Sequence, residues 1–453
     1  MAFDFSYYSP TKVLFGRKTE EKVGKLVKEF GGKRVLLHYG NGSAVRSGLI
    51  ERIKNALDSE GIFYAELGGA VPNPRLSLVY EGIELGKKEN VDFILAVGGG
   101  SAIDSAKAIA YGLAEQEKDV WELYLHKRTP KACLPLGTVI TIAAAGSETS
   151  ASSVITKSET GEKRSCNSDL SRPRFAVMNP ELTFSLPDYQ TQAGCADIMM
   201  HTMERYFTNG GNMELTDEIA EGLLRTVMKN ALILKNDPEN YEARAEVMWA
   251  GSLSHNGLTG CGTDGGDFMS HKIEHELGGM FDVTHGAGLA AIWGSWARYV
   301  YKECLPRFVK FAVKVMGVSP AENDEETALS GILAMEEFYR AIGMPTNLRE
   351  LGISPGDEEI EKMVNLAITY GCELFLAVGP RATYDTSATA NTKEGSRIGY
   401  RLRGYDNLVY AVEDVKRACR LGVRGILLYD EGLLWVLDKT KTAMGKRMLR
   451  TSG

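Results

Sequence analysis

The chain lacks three features that would each place it outside the ordinary globular proteins. No apolar run approaches the roughly 20 residues that a membrane-spanning helix needs. The opening MAFDFSYYSPTK has the pattern of neither a signal peptide nor an Arg-rich transit peptide. No basic block occurs, and 52 Lys and Arg stand against 59 Asp and Glu, for a net charge of −7. We therefore expect a cytoplasmic protein that binds neither membranes nor nucleic acid.

Paired cysteines and several catalytic signatures are also missing. The 453 residues include seven scattered cysteines and no C-x-x-C pair, a pattern that indicates reduced thiols rather than disulfides or a thiolate zinc site. The sequence contains no G-x-S-x-G elbow, no Walker A motif and no H-E-x-x-H motif. The chemistry of the protein must therefore reside in other residues.

Three regions differ in their pattern. Residues 1–185 alternate short apolar runs with helical segments, which predicts βαβ units and a parallel sheet. Residues 186–370 have helical spacing and few strand signals, which predicts a mainly α domain. Residues 371–453 carry 14 Lys and Arg against 9 Asp and Glu, a net charge of +5, so the first 370 residues carry −12. We treat this last region as an atypical extension of uncertain fold.

A triple glycine follows the buried strand VDFILAV. Gly98, Gly99 and Gly100 leave their backbone N–H groups accessible to a phosphate, and the helix that begins near Ser101 adds the positive end of its dipole. The loop does not have the G-x-G-x-x-G pattern of the first Rossmann turn. It predicts an anion cradle; a tight turn without a ligand is the alternative.

A second glycine turn follows the strand VLLHY. Folds that bind NAD usually place an acidic residue at the end of such a strand, where its charge would repel a 2′-phosphate. Here the turn is Gly40-Asn41-Gly42-Ser43, with Arg46 close by. We infer a Rossmann-like dinucleotide-binding domain that prefers NADP over NAD, with an ordinary loop as the alternative for this segment.

Histidines and one aspartate have the spacing of a metal site. Asp197 and His201 are four residues apart, as are His271 and His275, so each pair shares a helix face, and His285 follows after a short break. One carboxylate and two or three imidazoles suit Fe²⁺ or Zn²⁺ with an open position for substrate. The alternative is that these are ordinary structural histidines. We predict structural roles for His38 and His255 and a surface position for His126.

The order of these motifs resembles the iron-containing alcohol dehydrogenase family. The similarity runs through SPTKVLFG, VPNPR, VGGGSAIDSAK, AAAGSETS, FAVMNPELTFSLP, GCADIMMHTME and HKIEHELGGMFDVTHGAGLA, over about residues 5–370. Within the family, the chain is most similar to the NADP-dependent butanol dehydrogenase and aldehyde reductase branch. The resemblance implies reversible reduction of an aldehyde to a primary alcohol by NADPH, and a homodimer.

The resemblance also implies a set of site residues. The family's metal ligands fall on Asp197, His201, His271 and His285, and His275 matches a histidine near the active site that does not bind the metal. We expect His275, or a water chain through it or the cofactor ribose, to supply the proton. The cofactor-binding positions fall on Gly40, Gly42, Ser43, Gly98, Gly99, Gly100, Ser101, Thr138, Thr141, Ser147 and Lys163.

Two departures from the family pattern stand out. Many relatives have a Pro-Thr-Thr-rich run where this chain has Ile142-Ala143-Ala144-Ala145, which puts hydroxyl contacts to the cofactor in doubt. Residues 371–453 lie beyond the usual end of the family. They contain the strand-like runs FLAVG and RGILLYD, separated by an amphipathic stretch, as in a βαβ fragment. They could be a segment packed on the enzyme, a partly disordered appendage or a recombined end without function.

Three other functions stay open at this point. A metal-dependent lyase or cyclase of the dehydroquinate synthase type would need a basic cluster for a phosphorylated substrate, and the sequence shows none near His271. A metal-dependent hydrolase would leave the triple glycine unexplained. A catalytically inactive scaffold would require the C-terminal extension to cover the cleft.

Overall fold

The structure is a computed structural model. It describes residues 2–40, 42–211 and 213–353 and, beyond them, residues 356–358, 360, 361, 364, 365, 375–378, 417, 418, 420, 421, 425–428 and 449–451. Its strands are β1 (Lys12–Phe15), β2 (Arg34–Tyr39), β3 (Phe63–Leu67), β4 (Phe93–Gly98), β5 (Leu136–Ile140), β6 (Ser152–Lys157), β7 (Glu162–Asn167), β8 (Phe175–Met178), β9 (Phe375–Val378), β10 (Gly425–Leu428) and β11 (Leu449–Thr451).

Helices follow most of the strands, and the described residues between 188 and 341 contain helices and connecting loops but no strand. They are α1 (Val23–Glu29), α2 (Ser43–Arg46), α3 (Leu49–Asp58), α4 (Leu76–Lys88), α5 (Gly100–Ala114), α6 (Trp121–Tyr124), α7 (Asp188–Tyr206), α8 (Glu214–Asn236), α9 (Tyr241–His255), α10 (Met269–Phe281), α11 (His285–Val300), α12 (Leu305–Lys314) and α13 (Asp324–Ala341). Within the part of the chain that the structure describes, no helix is both long and apolar enough to cross a bilayer.

Six strands form one parallel sheet in the order β1-β8-β5-β4-β2-β3. Both faces are covered: Leu36 of β2 packs in the apolar cluster that includes α4 and α5, whereas Val35 and Leu37 pack in the cluster that includes α1 and α3. This burial on both sides explains why the strands are short, almost continuous apolar runs. The predicted α/β region with a parallel sheet, followed by a helical region, is confirmed.

The strand order reverses between β2 and β4. The chain leaves β2 toward β3 on one side and leaves β4 toward β5 on the other, while Tyr39 and Val97 are register partners. In open α/β sheets a crevice for ligands opens at such a switch point, beyond the carboxyl ends of the strands. The two glycine turns predicted to bind the cofactor begin at Gly40 and Gly98, at these two strand ends.

The helical region packs around a separate apolar core. Trp293 of α11 is fully buried there, and the Phe207 and Phe308 rings stack with centroids 4.1 Å apart. Helix α7 packs against α8, α9 and α11. Fifteen of its 19 residues are buried, which makes it a rigid central support for any side chain that it carries.

Helices α7 and α11 approach each other closely where Gly286 faces Ala193. A Cβ atom at Gly286 would lie 1.9 Å from the Ala193 carbonyl oxygen, a distance that no side chain could occupy. Gly286 follows His285, the first residue of α11. The absence of a side chain at this position therefore brings His285 near the residues of α7.

The residues from Ser354 onward belong to a unit separate from Met1–Ile353. The described strands of this unit, β9, β10 and β11, form a parallel sheet in the order β11-β10-β9, with Ile426 paired to Leu376 and to Leu449. The strand-like runs FLAVG and RGILLYD do contain strands, and they run parallel as in a βαβ unit. Most of the stretch between them lies outside the described residues.

We predict that Gly286→Ala lowers the free energy of unfolding by about 1–3 kcal/mol, because the added methyl group must displace the α7 backbone. It should also lower the metal content, since the displacement moves His285. Thermal unfolding and elemental analysis measure the two effects. The control is Gly222→Ala in α8, where a Cβ would meet only the Arg225 side chain at 4.0 Å. This control should stabilise the helix by about 1 kcal/mol. Equal behaviour of the two variants would contradict the prediction.

Candidate active site

Four of the predicted metal ligands converge on one buried point. Asp197 and His201 lie one turn apart on α7, His271 lies on α10, and His285 begins α11. The Asp197 Oδ1 atom is 3.0 Å from His201 Nδ1, 3.7 Å from His271 Nε2 and 3.7 Å from His285 Nε2. Asp197, His201 and His271 each offer a ligand atom within 4.8 Å of the others. The structure thus brings together residues separated by 88 positions (285 − 197) in the chain.

The atoms at this point suit a cation. Asp197 Oδ1 and His271 Nε2 are both buried and have no hydrogen-bond partner. The His271 Nδ1–H group donates to Glu204, so in the neutral ring Nε2 carries a lone pair that faces the carboxylate. Two buried acceptors in this arrangement repel each other unless a positive charge lies between them. A divalent metal bound by one oxygen and three imidazole nitrogens would satisfy both.

Burial sets the protonation states of the cluster. It lowers the pKa of His201 to about 4, which keeps this imidazole neutral and able to bind a metal. Burial alone would raise the pKa of Asp197, but the surrounding imidazoles hold it well below its usual range, so the carboxylate is charged. The His201 Nδ1–H group can donate to the Asp197 backbone oxygen at 3.0 Å, leaving Nε2 free.

Two glutamates that sequence reasoning missed orient the ligand histidines. Glu204 Oε1 accepts from His271 Nδ1 at 3.0 Å and from the His271 backbone N–H at 2.9 Å. Glu274 Oε2 accepts from His285 Nδ1 and from Lys163 Nζ, the latter at 3.0 Å. Carboxylates in this position fix the tautomer of a ligand histidine and raise its basicity. Each glutamate follows a ligand histidine of its own helix by three residues, and this helical spacing could have identified both.

Two more histidines line the same space. His275 lies one turn after His271, and its ring centroid is 5.9 Å from that of His285. The His255 ring lies 4.0 Å from His201, edge to face, although the sequence predicted only a structural role for it. Burial lowers the pKa of both well below the usual range, so both rings are neutral. His38 does have a structural role: it is buried in β2, bound to Leu67 and Ser105.

A cleft of about 850 Å³ joins the metal ligands to the glycine turns. Ten of the eleven predicted cofactor-binding residues line it, namely Gly40, Gly42, Ser43, Gly98, Gly99, Gly100, Ser101, Thr141, Ser147 and Lys163. Thr138 does not: it is buried in β5, where its hydroxyl donates to the Phe175 carbonyl. The four predicted metal ligands, Asp197, His201, His271 and His285, also line this cleft.

The predicted phosphate cradle lies at the start of α5. Gly99 precedes the first residue of the helix, and a Cβ atom there would lie 2.3 Å from Ile142 Cγ2. A residue with a side chain would therefore clash with the segment that follows β5. Ile142, Ala144 and Ala145 line the cleft with apolar groups, as their sequence predicts. The Ser147 hydroxyl donates to Asp104 at 2.7 Å.

Lys163 has a partner that the sequence did not reveal. Its side chain is buried, and its ammonium group forms an ion pair with Glu274 at 3.0 Å. The lysine, the glutamate and His285 thus form a continuous chain of contacts from the β6-β7 hairpin to the metal ligands. Lys163 therefore supplies positive charge close to the ligands as well as lining the cleft.

Comparisons with known proteins agree with these features. Residues 10–180 match the family described as "Iron-containing alcohol dehydrogenase", and residues 191–376 match "Fe-containing alcohol dehydrogenase family, C-terminal". The "Probable NADH-dependent butanol dehydrogenase 1" of Bacillus subtilis is 41% identical over 81% of this chain and 94% of its own length. The "NADPH-dependent aldehyde reductase YqhD" of Escherichia coli is 33% identical over 77% of this chain and 89% of its own length.

Solved structures show the same architecture. The crystal structure of NADH-dependent butanol dehydrogenase A from Thermotoga maritima superimposes with a TM-score of 0.77 at 38% identity. The match covers 82% of this chain and 94% of that one.

We predict that Glu204→Gln and Glu274→Gln each weaken metal binding about 10–100-fold, because the ligand histidine loses its charged acceptor. Competition with a chelator gives the dissociation constant. The matched control is Glu276→Gln on the same helix α10, where the glutamate is partly exposed and pairs with Arg164 at 3.0 Å. This control should bind metal as the unaltered protein does. An unchanged affinity in the first two variants would show that the glutamates do not tune the site.

Proposed function

The chain belongs to the iron-containing alcohol dehydrogenase family, and from this premise we propose that it interconverts primary alcohols and aldehydes such as butanol and butanal, by metal-assisted hydride transfer with a nicotinamide cofactor. One observation carries the proposal. The glycine turns at the switch point of the sheet and the Asp197, His201, His271 and His285 cluster line the same cleft. A dinucleotide bound across the switch point would extend toward the metal ligands.

Asp197, His201, His271 and His285 would hold the metal. When bound, a divalent cation supplies Lewis acidity that polarises a carbonyl group and favours alkoxide character in the alcohol. Three imidazoles and one carboxylate suit Fe²⁺, which the family description names, and would also accept Zn²⁺. The two glutamates behind the histidines keep the ligand nitrogens aimed at one point.

The remaining side chains would position the substrate and move a proton. His275 lines the cleft and is neutral, so one ring nitrogen can donate while the other accepts. We propose that it passes a proton between substrate oxygen and water as a relay. Lys163, paired with Glu274, would offset negative charge at the nicotinamide end of the cleft.

The finer cofactor preference is for NADP(H). Residues 40–43 carry no acidic side chain that would repel a 2′-phosphate, and Gly40, Gly42 and Ser43 line the cleft. The names of the relatives differ: the Bacillus subtilis and Thermotoga maritima proteins, which are more similar to this chain, are named as NADH-dependent, and the Escherichia coli protein as NADPH-dependent. The argument for NADP(H) is therefore the electrostatics of this turn.

Three further points complete the proposal. The relatives named above are dehydrogenases and reductases, which does not favour the lyase alternative. A homodimer is supported by four exposed aromatic side chains of residues 3–8, namely Phe3, Phe5, Tyr7 and Tyr8, because aromatic residues are enriched in protein interfaces. A cytoplasmic location is supported by the described cysteines, all of which are free thiols.

Butanal reduction tests the activity. We expect the oxidation of NADPH by butanal to stop after chelation and to return when Fe²⁺ is added back, with Zn²⁺ as the second arm. His271→Ala, which removes one ligand, should abolish the metal-dependent rate. Oxidation is followed by cofactor absorbance. If the reloaded protein reduces butanal with neither NADPH nor NADH, the proposed dehydrogenase activity is wrong.

The cofactor preference has its own test. Ser43→Asp should lower kcat/KM for NADPH about tenfold or more relative to Ser43→Asn, because only the carboxylate repels the 2′-phosphate at the same side-chain size. For NADH the two variants should differ little. Steady-state kinetics with each cofactor at saturating butanal gives both ratios. If the unaltered enzyme uses NADH as well as NADPH, the preference is refuted while the dehydrogenase activity stands.

A further inference from the structure

The wall of the cleft beside the metal ligands contains a cation, Arg205, that forms no hydrogen bond or ion pair with a carboxylate of the described residues. Arg205 lies one turn after His201 on α7 and lines the cleft. Its Nη1 group donates to the His201 carbonyl oxygen at 2.6 Å and to the Ser254 carbonyl oxygen at 3.1 Å. Its Nη2 group donates to His255 Nδ1 at 3.3 Å. Among the described residues, none of its contacts is with a carboxylate.

The guanidinium group is held in place on both sides. Its central carbon lies 4.7 Å from the centroid of the Phe268 ring, as in a cation–π contact. Phe268 has a left-handed backbone, with φ of 52°, which is rare for an aromatic residue and fixes the ring at the start of α10. Burial lowers the pKa of Arg205 to about 10, against the opposing effect of Glu204, so the group is charged at neutral pH.

His255 adds a second donor to this wall. Arginine only donates hydrogen bonds, so the His255 Nδ1 atom that contacts it must accept. In the neutral ring the proton then lies on Nε2. Arg205 and His255 are both half-buried and line the cleft. The single acceptor of the pair, His255 Nδ1, already binds Arg205, so the groups that remain for a ligand in the cleft are N–H donors.

Arg205 and His255 lie within a short reach of the metal ligands. Arg205 is one helical turn, about 5–6 Å of rise, from His201, and the His255 ring is 4.0 Å from the His201 ring. A substrate whose aldehyde oxygen lay at the metal ligands would thus bring a group three or four carbons away to this wall. Such a group would have to accept hydrogen bonds, and a carboxylate would also neutralise the buried cation.

We propose that Arg205, together with His255, selects short aldehydes that carry a terminal carboxylate, and the corresponding hydroxy acids in the reverse direction. The proposal rests on the proposed dehydrogenase function and specifies its substrate class. Asp267 and Lys272 line the same end of the cleft, but both are exposed. Their opposite charges offset each other in water, whereas the charge of Arg205 is partly desolvated and acts more strongly on the substrate.

The chemistry of the step is unchanged. The hydride of the reduced cofactor goes to the aldehyde carbon, the oxygen takes a proton from the relay, and the products are the ω-hydroxy acid and the oxidised cofactor. The carboxylate takes no part in bond breaking. Arg205 is therefore a specificity-determining residue, and its effect should fall on KM more than on kcat.

Three substrates of similar length test the proposal on the metal-loaded full-length enzyme: 4-oxobutanoate, its methyl ester and pentanal. The kcat/KM for 4-oxobutanoate should exceed that for the ester about tenfold or more, because only the acid forms charge-assisted hydrogen bonds with Arg205. If the ester and pentanal are reduced and the acid is no better, the substrate inference is wrong and the proposed function stands. If none of them nor butanal is reduced, the proposed function itself fails.

Variants assign the preference to a residue. Arg205→Gln should raise KM for 4-oxobutanoate about tenfold or more and leave the ester and pentanal within about threefold, while Arg205→Lys should retain part of the preference. The matched control is Lys272→Gln, an exposed cation at the same end, which should keep the preference. A loss in Lys272→Gln equal to that in Arg205→Gln would overturn the assignment to Arg205. The comparison of acid and ester on the unaltered enzyme decides the proposal even if Arg205→Gln fails to fold.

A fourth substrate, 4-hydroxybutanal, carries a neutral hydroxyl group in place of the carboxylate. It must be a poorer substrate than the acid, since a preference for it would contradict selection by charge.

Discussion

The rest of the site depends on one constraint, the repulsion between the lone pairs of Asp197 Oδ1 and His271 Nε2 when neither a metal ion nor a proton lies between them. His271 Nε2 lies 3.7 Å from Asp197 Oδ1, and both atoms are buried without a hydrogen-bond partner. Only a positive charge stabilises this arrangement, and it can be a metal ion or a proton. Burial disfavours protonation, but the neighbouring carboxylates of Asp197 and Glu204 raise the pKa of His271 to about 9, so in the absence of metal a proton takes its place. The helices therefore bring together two atoms that need a metal ion or a proton between them, and the tight contact of α7 with α11 at Gly286 brings His285 beside them.

The two ends of the cleft would recognise their proposed ligands by different physical means. At the sheet, recognition would use backbone N–H groups, so the important residues are glycines whose missing side chains let the chain pass close to Ile142 or to a phosphate. At the helices, recognition uses side chains of buried residues, so the important feature is which helix face points inward. A parallel sheet positions a backbone site at its switch point independently of the rest of the protein. The site built from side chains depends instead on how three separate helices, α7, α10 and α11, pack.

This difference explains what the sequence could predict. The glycine turns and the i, i+4 pairs Asp197–His201 and His271–His275 are local patterns. Such patterns can be recognised in the sequence without knowledge of how the helices pack. The convergence of His285 with them depended on a resemblance, because it requires the contact between α7 and α11. The contacts of His255, Arg205 and Lys163 could not be predicted, because each involves a partner more than 40 residues away. Thr138 was assigned to the cofactor through the resemblance alone, and its position inside β5 follows from the register of the sheet, with Thr138 paired to Ala96.

The segment GSAIDSAK at the start of α5 combines both features, a glycine turn with exposed backbone N–H groups and buried polar side chains. Its first turn belongs to the predicted phosphate cradle, and its inner face carries two buried titratable residues, Asp104 and Lys107. Lys107 Nζ donates to the carbonyl oxygens of Ser147, Ser150 and Ser152 at 2.7–2.9 Å, while Asp104 accepts from Ser147 and from the Val154 backbone. Burial lowers the pKa of Lys107 to about 8, against the opposing charge of Asp104. A buried lysine is costly unless its three protons are all used, and here all three hold the segment that forms the opposite wall of the cleft. The helix that receives the cofactor thereby also fixes the wall against which the cofactor would lie, so displacing either residue would loosen the cleft without touching the metal ligands.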